Sequence, residues 1–202
     1  MTQPPVIHVV DDDESVRSAL KRLLVSAGYG VRTYPSAGEF LLDPPPDTPG
    51  CLLLDLRMPG PSGLDLQDSL ARHGVRLPVI FFSGHGDLAT GIRAMKAGAV
   101  DFLTKPVESK VLLGAIENAL RADAARRTNH TAGADLQARY AQLTAREREV
   151  LRLVLAGQLN KQIAGELGIA ERTVKAQRAQ VMAKLGATTA AELGRIAAQL
   201  PL

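Results

Sequence analysis

Hydrophobic residues in the first 120 positions alternate between two spacings. Short apolar runs rich in β-branched residues are typical of buried strands, and apolar residues three and four positions apart are typical of helices. The predicted strands are Val6–Val10, Gly30–Tyr34, Cys51–Leu54, Pro78–Phe82 and Val100–Leu103. The predicted helices are one that contains Val16–Leu24 and stops at Ala27–Gly28, then Ser36–Leu42, Gly63–Arg72, Asp87–Lys96 and a last one from Glu108 onward. Five strands alternating with five helices predict an α/β fold whose parallel sheet is covered on both faces.

The alternation stops near residue 122, and the next twenty residues have few large apolar side chains. The middle of this stretch, Thr128–Gly133, is small and polar. Residues 123–142 are therefore predicted to be a linker, helical at both ends because Ala and Arg are good helix formers. We expect residues 1–122 and 143–202 to form separate domains on either side of it.

The remainder of the chain has helical spacing only. Thr144–Glu147 and Thr189–Glu192 match the capping box that opens a helix. Between them lie a short predicted helix, Asn160–Leu167, a tight connection at Gly168, and a longer predicted helix, Glu171–Leu185. The sequence thus predicts an all-α bundle of four helices that contains a helix-turn-helix.

Composition narrows the class of protein. Apolar residues make up 46% and charged residues 22% of the 202 residues, which is typical of a globular chain. No apolar run approaches the roughly 20 residues of a membrane-spanning helix, and the start MTQPP does not resemble a signal peptide. The single cysteine, Cys51, excludes an internal disulfide. We expect a cytoplasmic protein without a membrane partner.

Charge is distributed unevenly along the chain. Residues 1–120 carry 11 Lys and Arg against 14 Asp and Glu, whereas residues 121–202 carry 13 against 7. The basic second part is a candidate for binding nucleic acid.

Polar residues follow four of the predicted strands at the point where each ends. Asp11 and Asp12 follow the first strand, Asp55 the third, Ser83 the fourth and Lys105 the fifth. Strand ends of a parallel sheet lie along one edge, where ligands bind. Carboxylate oxygens suit Mg²⁺, and a carboxylate can act as a nucleophile toward phosphorus. A hydroxyl and an ammonium group can stabilise the transferred group.

Two other chemistries are compatible with parts of this pattern. The run Asp11–Val16 loosely fits the start of haloacid-dehalogenase-type phosphatases, but no GDxxxD-type motif follows Lys105 and the domain is too short for a cap insertion. Dinucleotide binding is disfavoured because the loop after the first strand is acidic and lacks GxGxxG.

The predicted helix Glu171–Leu185 has two distinct faces. At 100° per residue, Val174, Val181 and Leu185 form one stripe that should face the bundle core. The opposite stripe combines cations with small residues, which lets a helix enter a DNA groove and contact phosphates or base edges. The residues expected to contact DNA are Asn160, Lys161, Arg172, Thr173, Lys175, Ala176 and Ala179, with Arg178 at the flank in an ion pair or on a phosphate.

The first domain resembles a response-regulator receiver domain of (βα)5, flavodoxin-like fold. The matching segments are VVDDDESVRSAL, CLLLDLRMPGPSGLDL, VIFFSGHGD and AMKAGAVDFLTKP. The resemblance implies that Asp55 is the phosphoacceptor. It also implies that Asp11, Asp12, Asp55 and the backbone carbonyl of Arg57 hold Mg²⁺.

The same resemblance assigns the switch positions. Ser83 takes the Ser/Thr switch position, Phe102 the aromatic switch position and Lys105 the lysine position, with a cis peptide expected before Pro106. Phe102 lacks the hydroxyl that a tyrosine would bring to that position. His85 lies beside the pocket, where an imidazole could influence phosphate access.

The second domain resembles the LuxR-type DNA-binding domain. The segments LTAREREVLRLVLAG and NKQIAGELGIAERTVKAQRAQVMAKLGA carry the likeness, although Gln177 stands where many members of that family have His. Together the two domains resemble the NarL/FixJ class of response regulators, and most closely its FixJ-like branch.

This resemblance implies a transcription factor, not an enzyme. A sensor histidine kinase would phosphorylate Asp55, the phosphorylated chain would form a homodimer and bind double-stranded promoter DNA, and contact with RNA polymerase would activate transcription. The alternative is a DNA-binding regulator with a degenerate receiver that works without phosphorylation.

Overall fold

The computed structural model describes residues 4–45, 48–84 and 88–200. Contacts between residues divide the chain into two compact units, Met1–Arg127 and Thr128–Leu202. The division falls inside the stretch predicted to be a linker. None of the described helices combines the length with the apolar composition that crossing a lipid bilayer requires.

The first unit contains a five-stranded parallel sheet, as predicted. Its strands are β1 (Val6–Val10), β2 (Gly30–Tyr34), β3 (Gly50–Leu54), β4 (Val79–Ser83) and β5 (Asp101–Thr104). Their order across the sheet is β2-β1-β3-β4-β5. The predicted bounds of β3, β4 and β5 differ from these by one residue. Because the strand order reverses between β1 and β3, a crevice opens between their carboxyl ends.

Helices connect the strands of the first unit. They are α1 (Glu14–Ser26), α2 (Ala37–Leu42), α3 (Gly63–Arg72), α4 (Leu88–Lys96) and α5 (Ser109–Ala141). Asp13 and Ser36 cap α1 and α2, where their side chains accept backbone N–H groups of the first turn. Asp87, the predicted start of α4, and His85 lie outside the described residues.

The segment predicted to be a partly helical linker is helical up to Ala141, because α5 is one continuous helix of 33 residues. The sequence predicts a partly helical linker with helix at both ends, whereas the structure is helical through the middle of this segment as well. The run Thr128–Gly133 lacks large apolar residues, but it also lacks proline, and its only glycine is Gly133. A single glycine weakens a helix by about 1 kcal/mol, which the good helix formers on either side offset.

Both faces of the sheet are buried. One apolar cluster includes Val10, Leu54 and Phe81, and the opposite one includes Val9, Leu53 and Ile80. Neighbouring residues of β1, β3 and β4 thus point to opposite sides, and both sides are covered. The buried sheet positions the polar residues at its carboxyl edge.

The second unit contains four further helices, as predicted. They are α6 (Ala145–Leu155), α7 (Asn160–Leu167), α8 (Glu171–Leu185) and α9 (Ala190–Ala197). Thr144 and Glu147 form the predicted capping box at α6. Gly168 ends α7 with a φ of 65°, in the left-handed region that glycine adopts without strain. This tight turn between α7 and α8 gives the helix-turn-helix.

Candidate functional sites

Two carboxylates lie in the crevice between the ends of β1 and β3. Asp11 follows β1 and Asp55 follows β3, and their exposed fractions are only 2% and 6%. The backbone N–H of Asp55 donates to the carbonyl of Val10 at 2.8 Å, so the β1–β3 ladder extends to the site itself. Sheet pairing therefore brings together two acids that are far apart in the sequence.

Lys105 joins these two carboxylates. Its Nζ lies 2.5 Å from Oδ2 of Asp11 and 2.9 Å from Oδ1 of Asp55. The backbone N–H of Lys105 donates to the carbonyl of Ser83 at 2.8 Å, and the peptide bond to Pro106 is cis, as the resemblance to receiver domains implies. The structure thus brings Asp11, Asp55 and Lys105 into direct contact.

The electrostatics of this cluster follow from burial and pairing. Burial raises the pKa of Asp11 above its ordinary value, and the hydrogen bond from Lys105 offsets only part of this effect. Burial alone would lower the pKa of Lys105, but its bonds to Asp11 and Asp55 outweigh burial and raise it. Lys105 therefore stays cationic and neutralises part of the negative charge in the crevice.

The loop after Asp55 orients its carboxylate. The backbone N–H of Arg57 donates to Oδ2 of Asp55 at 2.7 Å. Gly63, at the start of α3, lies against this loop so closely that a Cβ there would overlap the carbonyl oxygen of Asp55. Only glycine therefore allows α3 to approach the loop in this way.

The other two acids of the first loop differ in their surroundings. Asp12 is exposed. Asp13 caps α1 by accepting the N–H groups of Ser15 and Val16. Within the described ranges, no group of three or more His, Cys, Asp or Glu side chains is arranged to hold a metal ion. The donors gathered here, two buried carboxylates and an adjacent exposed one, still suit Mg²⁺, which prefers oxygen ligands and retains several waters.

The predicted switch residues lie on the neighbouring strands. Ser83 ends β4 and is buried, with an exposed fraction of 1%. Phe102, in β5, is half-buried, and its ring centroid lies 6.2 Å from that of Phe81. Gly91 of α4 lies beside the ring of Phe102: a Cβ at position 91 would be 3.7 Å from the nearest ring atom. Phe102 thus occupies a space between the sheet and α4 that the small residue leaves open.

Sequence reasoning missed one contact at this site. Arg17, in the first turn of α1, donates from Nη1 to the backbone carbonyl of Asp11 at 2.7 Å. This bond fixes the acidic loop from the side of α1. The only sequence signal is the spacing of four residues from the cap Asp13, which places Arg17 one helical turn further along the same face.

The two stripes predicted on α8 are present. Val174 is buried in an apolar cluster with residues of α6 and α7. Val181 and Leu185 are buried in the other apolar cluster of the second unit, which includes residues of α6 and α9. Among the residues predicted to contact DNA, the exposed ones are Lys161, Arg172, Lys175, Ala176 and Ala179, and the half-buried ones are Asn160, Thr173 and Arg178.

Arg178 lies at the edge of the exposed stripe. Its Nη1 lies 3.3 Å from Oδ1 of Asn160, so within the second unit this contact links α8 to the start of α7. This partner is a neutral amide, and the placement of Arg178 in an ion pair or on a phosphate stays a prediction. A guanidinium has five N–H donors, more than this one contact uses.

Two family models match the chain. Residues 7–117 match the response regulator receiver domain, and residues 141–197 match the LuxR family of bacterial regulatory proteins. Both matches cover the regions for which the sequence predicts these folds.

Curated relatives match the chain over nearly its whole length. The response regulator protein TmoT of Ectopseudomonas mendocina is 46% identical over 98% of this chain and 90% of its own length. The transcriptional regulatory protein FixJ of Rhizobium meliloti is 43% identical over 95% of this chain and 94% of its own length.

Solved structures agree with these matches. The response regulator StyR is 46% identical, with a TM-score of 0.85 over 98% of this chain and all of its own. Full-length FixJ from B. japonicum is 40% identical, with a TM-score of 0.61 over 98% of both chains.

Proposed function

This chain belongs to the two-component response regulators that join a receiver domain to a LuxR-type DNA-binding domain, and from that premise we propose that Asp55 is its phosphoacceptor. Members of this family are DNA-binding transcription regulators, not enzymes. The observation that carries the proposal is the contact of Lys105 with both Asp11 and Asp55 in the buried crevice. The phosphodonor is a sensor histidine kinase.

The residues around Asp55 have distinct tasks in the transfer. A carboxylate oxygen of Asp55 attacks the phosphorus of a phosphohistidine, a P–O bond forms, and the P–N bond breaks with its electron pair left on the imidazole. The N–H of Arg57 holds the other oxygen of Asp55. The ammonium of Lys105 then has a dianionic phosphoryl group beside it in place of a free carboxylate, which strengthens its charge-assisted hydrogen bonds.

Magnesium is the metal that fits this site. Asp11, Asp12, Asp55 and the carbonyl of Arg57 would hold it. When bound, it would neutralise the negative charge that repels an incoming phosphoryl group. Arg17 keeps the acidic loop in place through the carbonyl of Asp11.

The response to phosphorylation involves Ser83 and Phe102. The Ser83 hydroxyl turns toward the phosphoryl oxygens, and the ring of Phe102 moves further into the space between the sheet and α4. The face formed by α4, β5 and α5 changes shape and mediates a homodimer. Three exposed apolar side chains on α4 and α5 support an interface there, namely Ile92, Met95 and Val111.

The second unit binds promoter DNA through α8. Arg172 and Lys175 at its start contact phosphates or base edges, while Ala176 and Ala179 allow close approach to the groove and can touch thymine methyl groups. A dimer binds two adjacent half-sites, and its affinity rises because the second contact is intramolecular. The bound dimer contacts RNA polymerase and activates transcription. The protein acts in the cytoplasm, where the DNA lies.

Phosphorylation of variants tests the assignment of Asp55. The full chain is incubated with acetyl phosphate and Mg²⁺, and acyl phosphate is measured by intact-mass spectrometry. We expect wild type and Asp68→Asn, which changes an exposed acid on α3, to gain one phosphoryl group, and Asp55→Asn to gain none. Equal modification of Asp55→Asn would refute the assignment. An unmodified wild type would favour the alternative of a regulator that works without phosphorylation.

A further inference from the structure

A buried carboxylate interrupts the apolar stripe of α5. Leu112, Ala115, Ile116 and Ala119 face the sheet, and the next position of that stripe is Asp123. Only 1% of Asp123 is exposed. Because an ionised carboxylate in such a place costs several kcal/mol unless it is paired, its partners must account for it.

Donors from three of the described residues bind this carboxylate. Oδ2 of Asp123 accepts the backbone N–H of Gly50 at 3.2 Å and Nε of Arg127 at 2.6 Å, and Oδ1 accepts from Arg126 at 2.5 Å. Arg127 also donates from Nη2 to the carbonyl of Thr48 at 2.6 Å. We call these five residues the Asp123 clasp. It ties the last buried turn of α5 to the chain that enters β3.

The clasp lies at a boundary of the structure. The first compact unit ends at Arg127, a member of the clasp, whereas α5 runs on to Ala141. The next residues of the helix, Thr128–Thr131, are exposed. Large apolar side chains return only with Leu136 and Tyr140, which pack in the second unit. The clasp therefore holds the last turn of α5 that belongs to the first unit.

The clasp also connects to the proposed phosphorylation site through one strand. β3 begins at Gly50, which binds Asp123, and ends at Leu54, directly before Asp55. Because β3 is buried and paired on both edges, it behaves as a stiff element about 17 Å long. The bond between Gly50 and Asp123 thus holds α5 at a fixed position relative to the sheet that carries Asp55.

We propose that Asp123 is a positioning residue that fixes where α5 leaves the first unit, and that control of DNA binding by phosphorylation requires this anchor. The second half of this statement rests on the proposed function. An anchored exit restricts the directions in which the helix can leave, so a change in the receiver alters the course of the helix beyond Arg127. If α5 frays where it leaves the first unit, the helix samples many directions, and the effect of a change in the receiver on its course is lost.

Hydrogen exchange of the full chain, resolved by mass spectrometry, tests the anchor itself. The variants are Asp123→Asn, Arg127→Gln and the matched control Asp135→Asn. Asp135 lies on the same helix and also pairs with an arginine four residues on, but this pair is about half exposed. We expect exchange in residues 123–133 to become about tenfold faster in Asp123→Asn, less so in Arg127→Gln, and to stay unchanged in Asp135→Asn. Unchanged exchange in both clasp variants would overturn the proposal.

Signal transmission gives the second readout. We measure phosphorylation by acetyl phosphate and the ratio of DNA affinities with and without phosphorylation, using a duplex selected from a random pool by the phosphorylated wild type. We expect Asp123→Asn to be phosphorylated at the wild-type rate and its affinity ratio to fall toward one. A wild-type ratio in Asp123→Asn would overturn the proposal, as would slower phosphorylation with faster exchange throughout the first unit, because a merely structural residue would behave so.

The two proposals fail differently. A wild-type chain whose DNA affinity ignores phosphorylation would refute the proposed function. The exchange experiment would still decide whether Asp123 anchors α5, because it requires neither phosphate nor DNA.

Discussion

A buried histidine should make the first unit sensitive to acid. His8 lies in β1 with an exposed fraction of 2%, and its Nδ1 is 3.3 Å from the hydroxyl oxygen of Tyr34. Its ring also lies edge-on to Phe40, with centroids 5.9 Å apart. Burial, together with the positive charge of Arg32, lowers the pKa of His8 from 6.5 to about 4. The fold therefore requires the neutral imidazole.

The sign and size of the effect follow from this difference in pKa. Above pH 6.5 His8 is neutral in both the folded and the unfolded chain, so it contributes no penalty. As the pH falls from 6.5 to 4 the unfolded chain takes up a proton that the folded chain refuses, and stability is lost. The full loss is about 3 kcal/mol, of which roughly 2 kcal/mol falls between pH 7 and pH 5.

Native-state hydrogen exchange of the β1 and β3 amides, corrected for the intrinsic effect of pH, measures this loss in the first unit alone. His8→Leu removes the titrating group, and His73→Gln removes an exposed imidazole as the control. We expect wild type and His73→Gln to lose roughly 2 kcal/mol more than His8→Leu between pH 7 and pH 5. The reasoning is refuted if all three lose the same amount, or if the His8 ring titrates above pH 6 by NMR.

Three further variants test the packing and the DNA contacts. Gly63→Ala should push α3 away from the Asp55 loop, so we expect slower phosphorylation by acetyl phosphate; an unchanged rate would show that the loop adapts. Arg178→Ala should weaken binding to all duplexes alike and reduce the slope of log affinity against log salt by about 1, whereas a loss confined to one base position would contradict a phosphate contact. Thr144→Ala removes the cap of α6 and should lower the stability of the second unit by about 1 kcal/mol in urea unfolding, with an unchanged midpoint as the contrary result.

The strands and the carboxyl-edge residues could be predicted because their signals are local. Runs such as Val6–Val10 are typical of buried strands of a parallel sheet, and that topology alone places Asp11, Asp55 and Lys105 at one edge. The contact distances could not be predicted, because they depend on how closely the elements pack, for example on the approach of Gly63 to the loop after Asp55. Such packing is a property of the folded chain.

The continuous helix α5 was mispredicted for a physical reason. Polar, small residues at Thr128–Gly133 suggested a break, but helix continuation depends on the absence of a strong breaker and on support at both ends. The Asp123 clasp supports one end, and the packing of Leu136 and Tyr140 supports the other. A buried Asp with arginines three and four residues later looks, in the sequence, like any exposed helical ion pair. Its backbone partner Gly50 is 73 positions away.

The most direct test of the account compares the DNA affinity of the full chain before and after phosphorylation, in wild type and in Asp55→Asn. The probe is a duplex selected from a random pool by the phosphorylated wild type, and affinity is measured by fluorescence anisotropy. The account predicts that acetyl phosphate with Mg²⁺ raises wild-type affinity at least about tenfold and leaves Asp55→Asn unchanged. An equal rise in both proteins, or no rise in the wild type, would contradict it.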